Sequence, residues 1–170
     1  MSATLPGRVD AGRMVAARRG FSGSLPVSSL RRLAAAIADD RGEVEYELEF
    51  GRDPAGVSCL ALHARARLDL VCQRTLEIFE HPLEVDVRLG LIEHERDEAG
   101  LPDGYEPLLL EDGRLEPARV IEDELLLALP AFPVKPGSEA EAESWGDAAQ
   151  ADVPAREDSP FAVLRELKKR

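Results

Sequence analysis

Three groups of residues in this 170-residue chain have side chains of the kind that chemistry needs. The first is Cys72, in L-V-C-Q-R-T, where a thiolate just past a strand is half of a C-x-x-C metal knuckle. Thr75 stands where the second thiolate belongs. The second group is I-E-D-E at 121–124, since the carboxylates of Glu122, Asp123 and Glu124 are of the type that binds a divalent cation. Consecutive acids on a helix point in different directions, so they are read as ordinary solvated acids. The third is the histidines. His63 falls on the polar face of an expected strand, His81 precedes Pro82, and His94 lies in an acidic loop. None stands in a nucleophile–base–orienter pattern. The chain has no phosphate-cradling glycine loop, nucleophile elbow or H-E-x-x-H. These residues point away from an enzyme, and no cofactor is expected.

The elements that position these residues follow from apolar periodicity. Residues 43–50 alternate Val44, Tyr46, Leu48 and Phe50 with four glutamates, the pattern of a half-buried strand. Residues 57–72 continue the period, with Leu60, Leu62, Leu68 and Leu70 on one face; such length predicts a bulge or kink. A third strand spans 76–92, where Pro82 marks an edge or a break. These three predict an antiparallel meander. A polar loop at 93–104 and a short strand at 105–110 come next. Helices are expected at 10–19, ended by Gly20, at 27–39 behind a serine cap, and at 115–129 with Pro117 in its first turn. Residues 136–158 lack an apolar period and read as an acidic flexible linker, in which Trp145 either docks or stays exposed. A short basic helix closes the chain at 159–170. The fold class is α+β: one domain at 1–135, the linker, and that helix.

The net charge of −12 is unevenly spread. Residues 1–32 carry six arginines and one aspartate, and residues 33–135 carry 24 acids against ten bases. Residues 136–158 carry seven acids and one base, and the last twelve residues carry four bases and one acid. An acidic body repels phosphate and favours cationic partners, so nucleic-acid contact falls to the basic ends. The same charge also serves solubility alone. The longest apolar runs are too short for a membrane span, and the N-terminus lacks a secretory pattern. Its arginines mimic a transit peptide but also read as part of the fold. Two cysteines make no disulfide framework, which indicates a reducing compartment and a cytoplasmic protein. Cys59 and Cys72, at an odd offset along one strand, face opposite ways and do not bridge.

Four stretches together resemble the YceD family of large ribosomal RNA subunit accumulation proteins. They are V-C-Q-R at 71–74, Y-E-P at 105–107, I-E-D-E-L-L-L-A-L-P-A-F-P at 121–133 and S-P-F-A-V-L-R-E-L-K at 159–168. The resemblance implies a role in accumulation of large-subunit ribosomal RNA, hence in ribosome assembly. It also implies a zinc set in many members: C-x-R-C, a histidine after the proline pair, and a further cysteine. Here Cys72 and Arg74 remain, Thr75 and Lys135 fill two ligand positions, and no later cysteine exists. Cys72 is then read as a small buried apolar residue. The expected RNA contacts are Arg13, Arg18, Arg19, Arg31, Arg32, Lys168, Lys169 and Arg170. Tyr105, Glu106, Pro107 and the acids Glu122, Asp123 and Glu124 are candidate docking residues, as are Cys72 and Arg74. In the terminal motif the candidates are Pro160, Phe161, Leu164 and Leu167. The partner is large-subunit ribosomal RNA or a pre-ribosome, with a basic ribosomal protein for the acidic body; an acidic chaperone without RNA contact and an RNA-processing enzyme are the alternatives.

Overall fold

The computed structural model describes residues 5–138, and the elements below all belong to the unit Met1–Lys135. Most of the expected linker, Trp145 and the closing helix lie outside the described residues.

Glutamate–apolar alternation builds β3 (Glu43–Arg52), which buries Val44, Tyr46, Leu48 and Phe50 and exposes Glu43, Glu45, Glu47 and Glu49. Its neighbours in the sequence are β4 (Ser58–Val71) and β5 (Ile78–Ile92). Their register runs without a slip from Cys59↔Gly90 to Val71↔Ile78, and β3 meets β4 evenly from Val44↔Ala66 to Arg52↔Ser58. The expected bulge in β4 is therefore absent. Both flanks of that long strand are paired, and every second residue from Leu60 to Leu70 is buried, which fixes one register.

Two strands complete the sheet, in the order β2-β3-β4-β5-β6. β2 (Gly20–Pro26) was not evident from periodicity, and it pairs antiparallel with β3 from Gly20↔Glu49 to Pro26↔Glu43. Gly23 lies under the Tyr46 ring, where a Cβ would come within 3.1 Å of the phenol oxygen. β6 (Glu106–Leu109) pairs with residues 89–92 of β5, but in parallel. The sheet is mixed, and the antiparallel expectation fails at this last strand. The 3-10 turn Glu95–Gly100 lies in the return, and Leu101 lands on Gly90, where a Cβ would come within 2.5 Å of its methyl carbon. Among the described residues the outer edge of β5 before residue 89 has no strand partner, and Pro82 sits in that edge.

α1 (Ala11–Ala16) begins at Asp10, whose carboxylate accepts the Arg13 N–H at 2.9 Å. It ends earlier than expected because Arg18 turns left-handed at φ 47°, and Gly20 starts β2 instead of stopping the helix. The single helix expected at 27–39 is a 3-10 turn at Val27–Ser29 followed by α2 (Arg31–Ala36). Ile37 is already extended, and Ala38 donates its N–H to the Asp69 carbonyl at 2.7 Å, so β4 claims the end of the segment. α3 (Pro117–Ala128) starts at its proline and buries Val120, Ile121 and Leu125. α1 packs on β3 and β4, α3 on β4 and β5, and α2 on α3. Among the described residues no element packs on the glutamate face of the sheet. β1 (Val9–Asp10) and β7 (Arg114–Leu115) form a separate two-stranded pair. Among the described residues no helix is long and apolar enough to cross a membrane.

Candidate functional site

Cys72 follows β4 and is fully buried. Its N–H bonds the Glu77 carbonyl and its carbonyl accepts from Leu76, which closes a tight turn with Leu76 left-handed at φ 59°. The structure brings Thr75 and Lys135 to the same sulfur: Lys135 donates its backbone N–H at 3.3 Å and Thr75 at 3.5 Å. The Lys135 N–H bond, then bonds from the Thr75 side chain and backbone, hold the thiol down at about 6, against burial. Cys72 is buried in the core, as expected, and its sulfur is in addition an acceptor at the centre of a turn. Gln73 ties that turn to the proline-rich segment by donating its N–H to the Pro133 carbonyl at 2.9 Å. The donors do not suit zinc. The Lys135 ammonium turns to Glu77 at 2.8 Å, and among the described residues no cluster of three histidine, cysteine or acidic side chains could hold a metal.

The acids of α3 form a latch. Glu122 is only 8% exposed and is not a solvated acid, which corrects that expectation. One carboxylate oxygen accepts the backbone N–H of Arg32 at 2.6 Å and of Leu33 at 3.3 Å; the other accepts the Arg32 guanidinium at 2.8 Å. Asp123 takes the far side of the same guanidinium. Leu30, the residue before α2, offers no side-chain cap, so Glu122 caps α2 from across the fold. Burial pushes the Glu122 carboxyl up, but the bonds and charge of Arg32 and the Leu33 N–H outweigh it and leave it below the ordinary range. Glu124 moves the other way, raised by burial and by the facing carboxylates of Glu106 and Asp123. Two of the family-like stretches therefore meet in space. In Y-E-P, Tyr105 donates its hydroxyl to Asp53 at 2.9 Å, and Glu106 and Pro107 open the parallel strand opposite Leu89 and Gly90.

The arginines expected to touch RNA have different fates. Arg32 is held in the latch, Arg13 lies 3.8 Å from Asp10, and Arg31 is exposed on α2. Arg18 and Arg19 sit at the α1–β2 corner with Arg52, the last residue of β3, around a concavity of about 340 Å³. The backbone there is anchored on both sides: Arg19 donates to the Met14 carbonyl at 3.0 Å, and its carbonyl accepts Phe50 at 2.9 Å. Among the described residues none of these three arginines has an ion-pair partner, and Glu49 is the single acid lining the concavity. Arg52 was missed because its place beside Arg19 depends on the β2–β3 pairing. The weak signal was Phe21 and Leu25 alternating with serines. Lys168, Lys169, Arg170, Pro160, Phe161, Leu164 and Leu167 lie outside the described residues.

The open face of the sheet is acidic. Beside the four glutamates of β3 it presents Asp69, Glu80, Glu84 and Asp86, against Arg65, Arg67 and Arg88. Arg65 pairs with Glu84 at 3.0 Å and Arg67 with Glu80 at 2.8 Å; His63 stands between Glu84 and Asp86.

Comparison with known proteins adds two findings. The family model described as large ribosomal RNA subunit accumulation protein YceD matches residues 60–168. That span takes in the Cys72 turn, Y-E-P and the I-E-D-E helix, and begins after the arginine corner. The chain is 28% identical over 169 residues to the large ribosomal RNA subunit accumulation protein YceD of Haemophilus influenzae, covering 98% of this chain and 97% of that protein. No solved structure matches.

Proposed function

The chain belongs to the YceD family of large ribosomal RNA subunit accumulation proteins, and on that footing we propose that it is a non-catalytic, cytoplasmic assembly factor that contacts large-subunit precursor RNA through the arginine corner. The observation that carries this reading is that Arg18, Arg19 and Arg52 make no ion pair among the described residues and outnumber the one acid beside them, Glu49, on a chain of net charge −12. Arginines without an ion pair around an open hollow keep their donors available for the phosphates of an RNA backbone. The surrounding acidic surface repels RNA elsewhere and so favours one mode of approach. Glu122 and Asp123 are committed to Arg32, which favours a structural over a catalytic role for them.

A second reading is an acidic chaperone for a basic ribosomal protein without RNA contact. The open acidic face of the sheet favours it. The two are separated in cells lacking the gene by measuring the ratio of large- to small-subunit ribosomal RNA. The intact chain should restore the large-subunit RNA, and a chain carrying R18A, R19A and R52A should fail to do so at equal abundance. Full rescue by that variant would remove the RNA contact from the account and leave the chaperone reading.

A further inference from the structure

Large apolar side chains exposed among the described residues are not scattered. Val71, Leu76, Ile78, Phe132 and Val134 gather at the far end of the β4–β5 hairpin, leaving only Leu109 and Leu127 elsewhere. The gathering follows from the Cys72 turn. Val71 and Ile78 are cross-strand partners on the open face, 43% and 60% exposed. Leu76 occupies a left-handed turn position that glycine or asparagine would fill with less strain, yet it places a leucine in solvent. The bond from Gln73 to Pro133 and that from Lys135 to the Cys72 sulfur lay the segment with Phe132 and Val134 along the same turn. An apolar end of this kind marks an interaction surface.

The open face continues from this end as an acidic groove. Next to Val71–Ile78 come Asp69↔Glu80 and Arg67↔Pro82, and Glu43 and Glu45 flank them from β3. The groove is open, with a volume of about 850 Å³. Its arginines are already neutralised: Arg41 by Asp39 at 2.6 Å, Arg65 by Glu84 and Arg67 by Glu80. Glu43, Glu45 and Asp69 have no ion pair among the described residues, so the groove keeps a negative charge beside an apolar anchor point.

We propose that this surface, from Val71 and Ile78 into the groove of Glu43, Glu45 and Asp69, docks a cationic protein segment that carries an apolar anchor. The chemistry selects against the other occupants. RNA meets uncompensated carboxylates, and a second copy brings acid against acid. Pro82 interrupts the free edge of β5, so the segment lies across the face and does not extend the sheet. The inference stands apart from the RNA contact, which uses the opposite end of β3.

Binding of short labelled peptides to the full chain tests it: one rich in lysine with two leucines at one end, one with those leucines replaced by serine, and one with glutamate in place of lysine. The first should bind best, and the glutamate peptide should not bind. V71S/I78S and, separately, E43Q/E45Q/D69N should each weaken the first peptide roughly tenfold or more. R18A/R19A/R52A should leave it unchanged, so that failure of either proposal is seen without the other. The proposal is overturned if the lysine and glutamate peptides bind alike, or if both groove variants bind as the parent does. It is also overturned if V71S/I78S weakens RNA binding, or if Val71 and Ile78 are already protected in the peptide-free chain, which would mean another occupant.

Discussion

Arg32 and Arg19 belong to the same basic N-terminal stretch, yet the fold puts them to opposite uses. Arg32 is gripped by Glu122 and Asp123, its backbone N–H included, and joins α2 to α3. Arg19, with Arg18 and Arg52, has its backbone anchored and makes no ion pair among the described residues. A positive charge is therefore not a contact until its partner is known. The latch is architecture, and the corner is the surface that the proposed function assigns to RNA.

That contrast is broken most forcefully at Glu122. Replacing it by alanine leaves the first N–H groups of α2 without their acceptor and the Arg32 guanidinium with Asp123 alone, and should cost about 2 kcal/mol of stability. The check is a lower urea midpoint with an unchanged slope, and RNA affinity per folded molecule should stay at the parent value. The corner should behave in reverse. R18A/R19A/R52A should shift stability by less than about 1 kcal/mol, as exposed substitutions do, while weakening RNA binding. A variant that loses stability and keeps RNA binding would merge the two classes.

A smaller effect separates the two by pH. The Glu122 carboxyl lies below its unfolded value, so the latch is fully present above that value, near 4.5, and is lost as pH falls through the folded one. Acid denaturation of the parent should thus be steeper below that point than that of E122Q, and the corner variant should track the parent. A further pH effect is expected at Cys72. With its thiol held at about 6 against 9.0, the thiolate's contribution is complete above the unfolded value and declines as pH falls towards 6. Denaturation at pH 6 and pH 9 should show the parent gaining stability with pH relative to Cys72→Ala; equal gains would remove the sulfur from the turn's energetics.

Legibility in the sequence followed the strength of local pattern. β3, β4 and β5 were readable because glutamate, arginine or aspartate alternates with leucine and valine over long runs, and α3 because Pro117 and the spacing of Ile121 and Leu125 agree. β2 was hidden because glycine and serine dilute its period, Gly23 being small to admit Tyr46. The helix at 27–39 was read too long because Ala34, Ala35 and Ala36 favour helix, whereas the Ala38 bond to Asp69 is a tertiary demand. The parallel β6 depends on the way Leu101 closes over Gly90, which no local pattern states. The same limit applied to the site. The resemblance gathered Cys72, Thr75 and Lys135 into one place, but their bonding to the sulfur is backbone geometry. Arg32 and Glu122 lie 90 residues apart, so each alone read as a free charge.

The most direct test of the account is the salt dependence of binding between the full chain and large-subunit precursor RNA, for the parent and R18A/R19A/R52A. At roughly 0.7 per phosphate contact on single-stranded RNA, losing three contacts should make the log–log slope shallower by about 2 and weaken binding at low salt. An unchanged slope and affinity in a correctly folded variant would contradict the claim that the unpaired arginines are where this protein meets RNA.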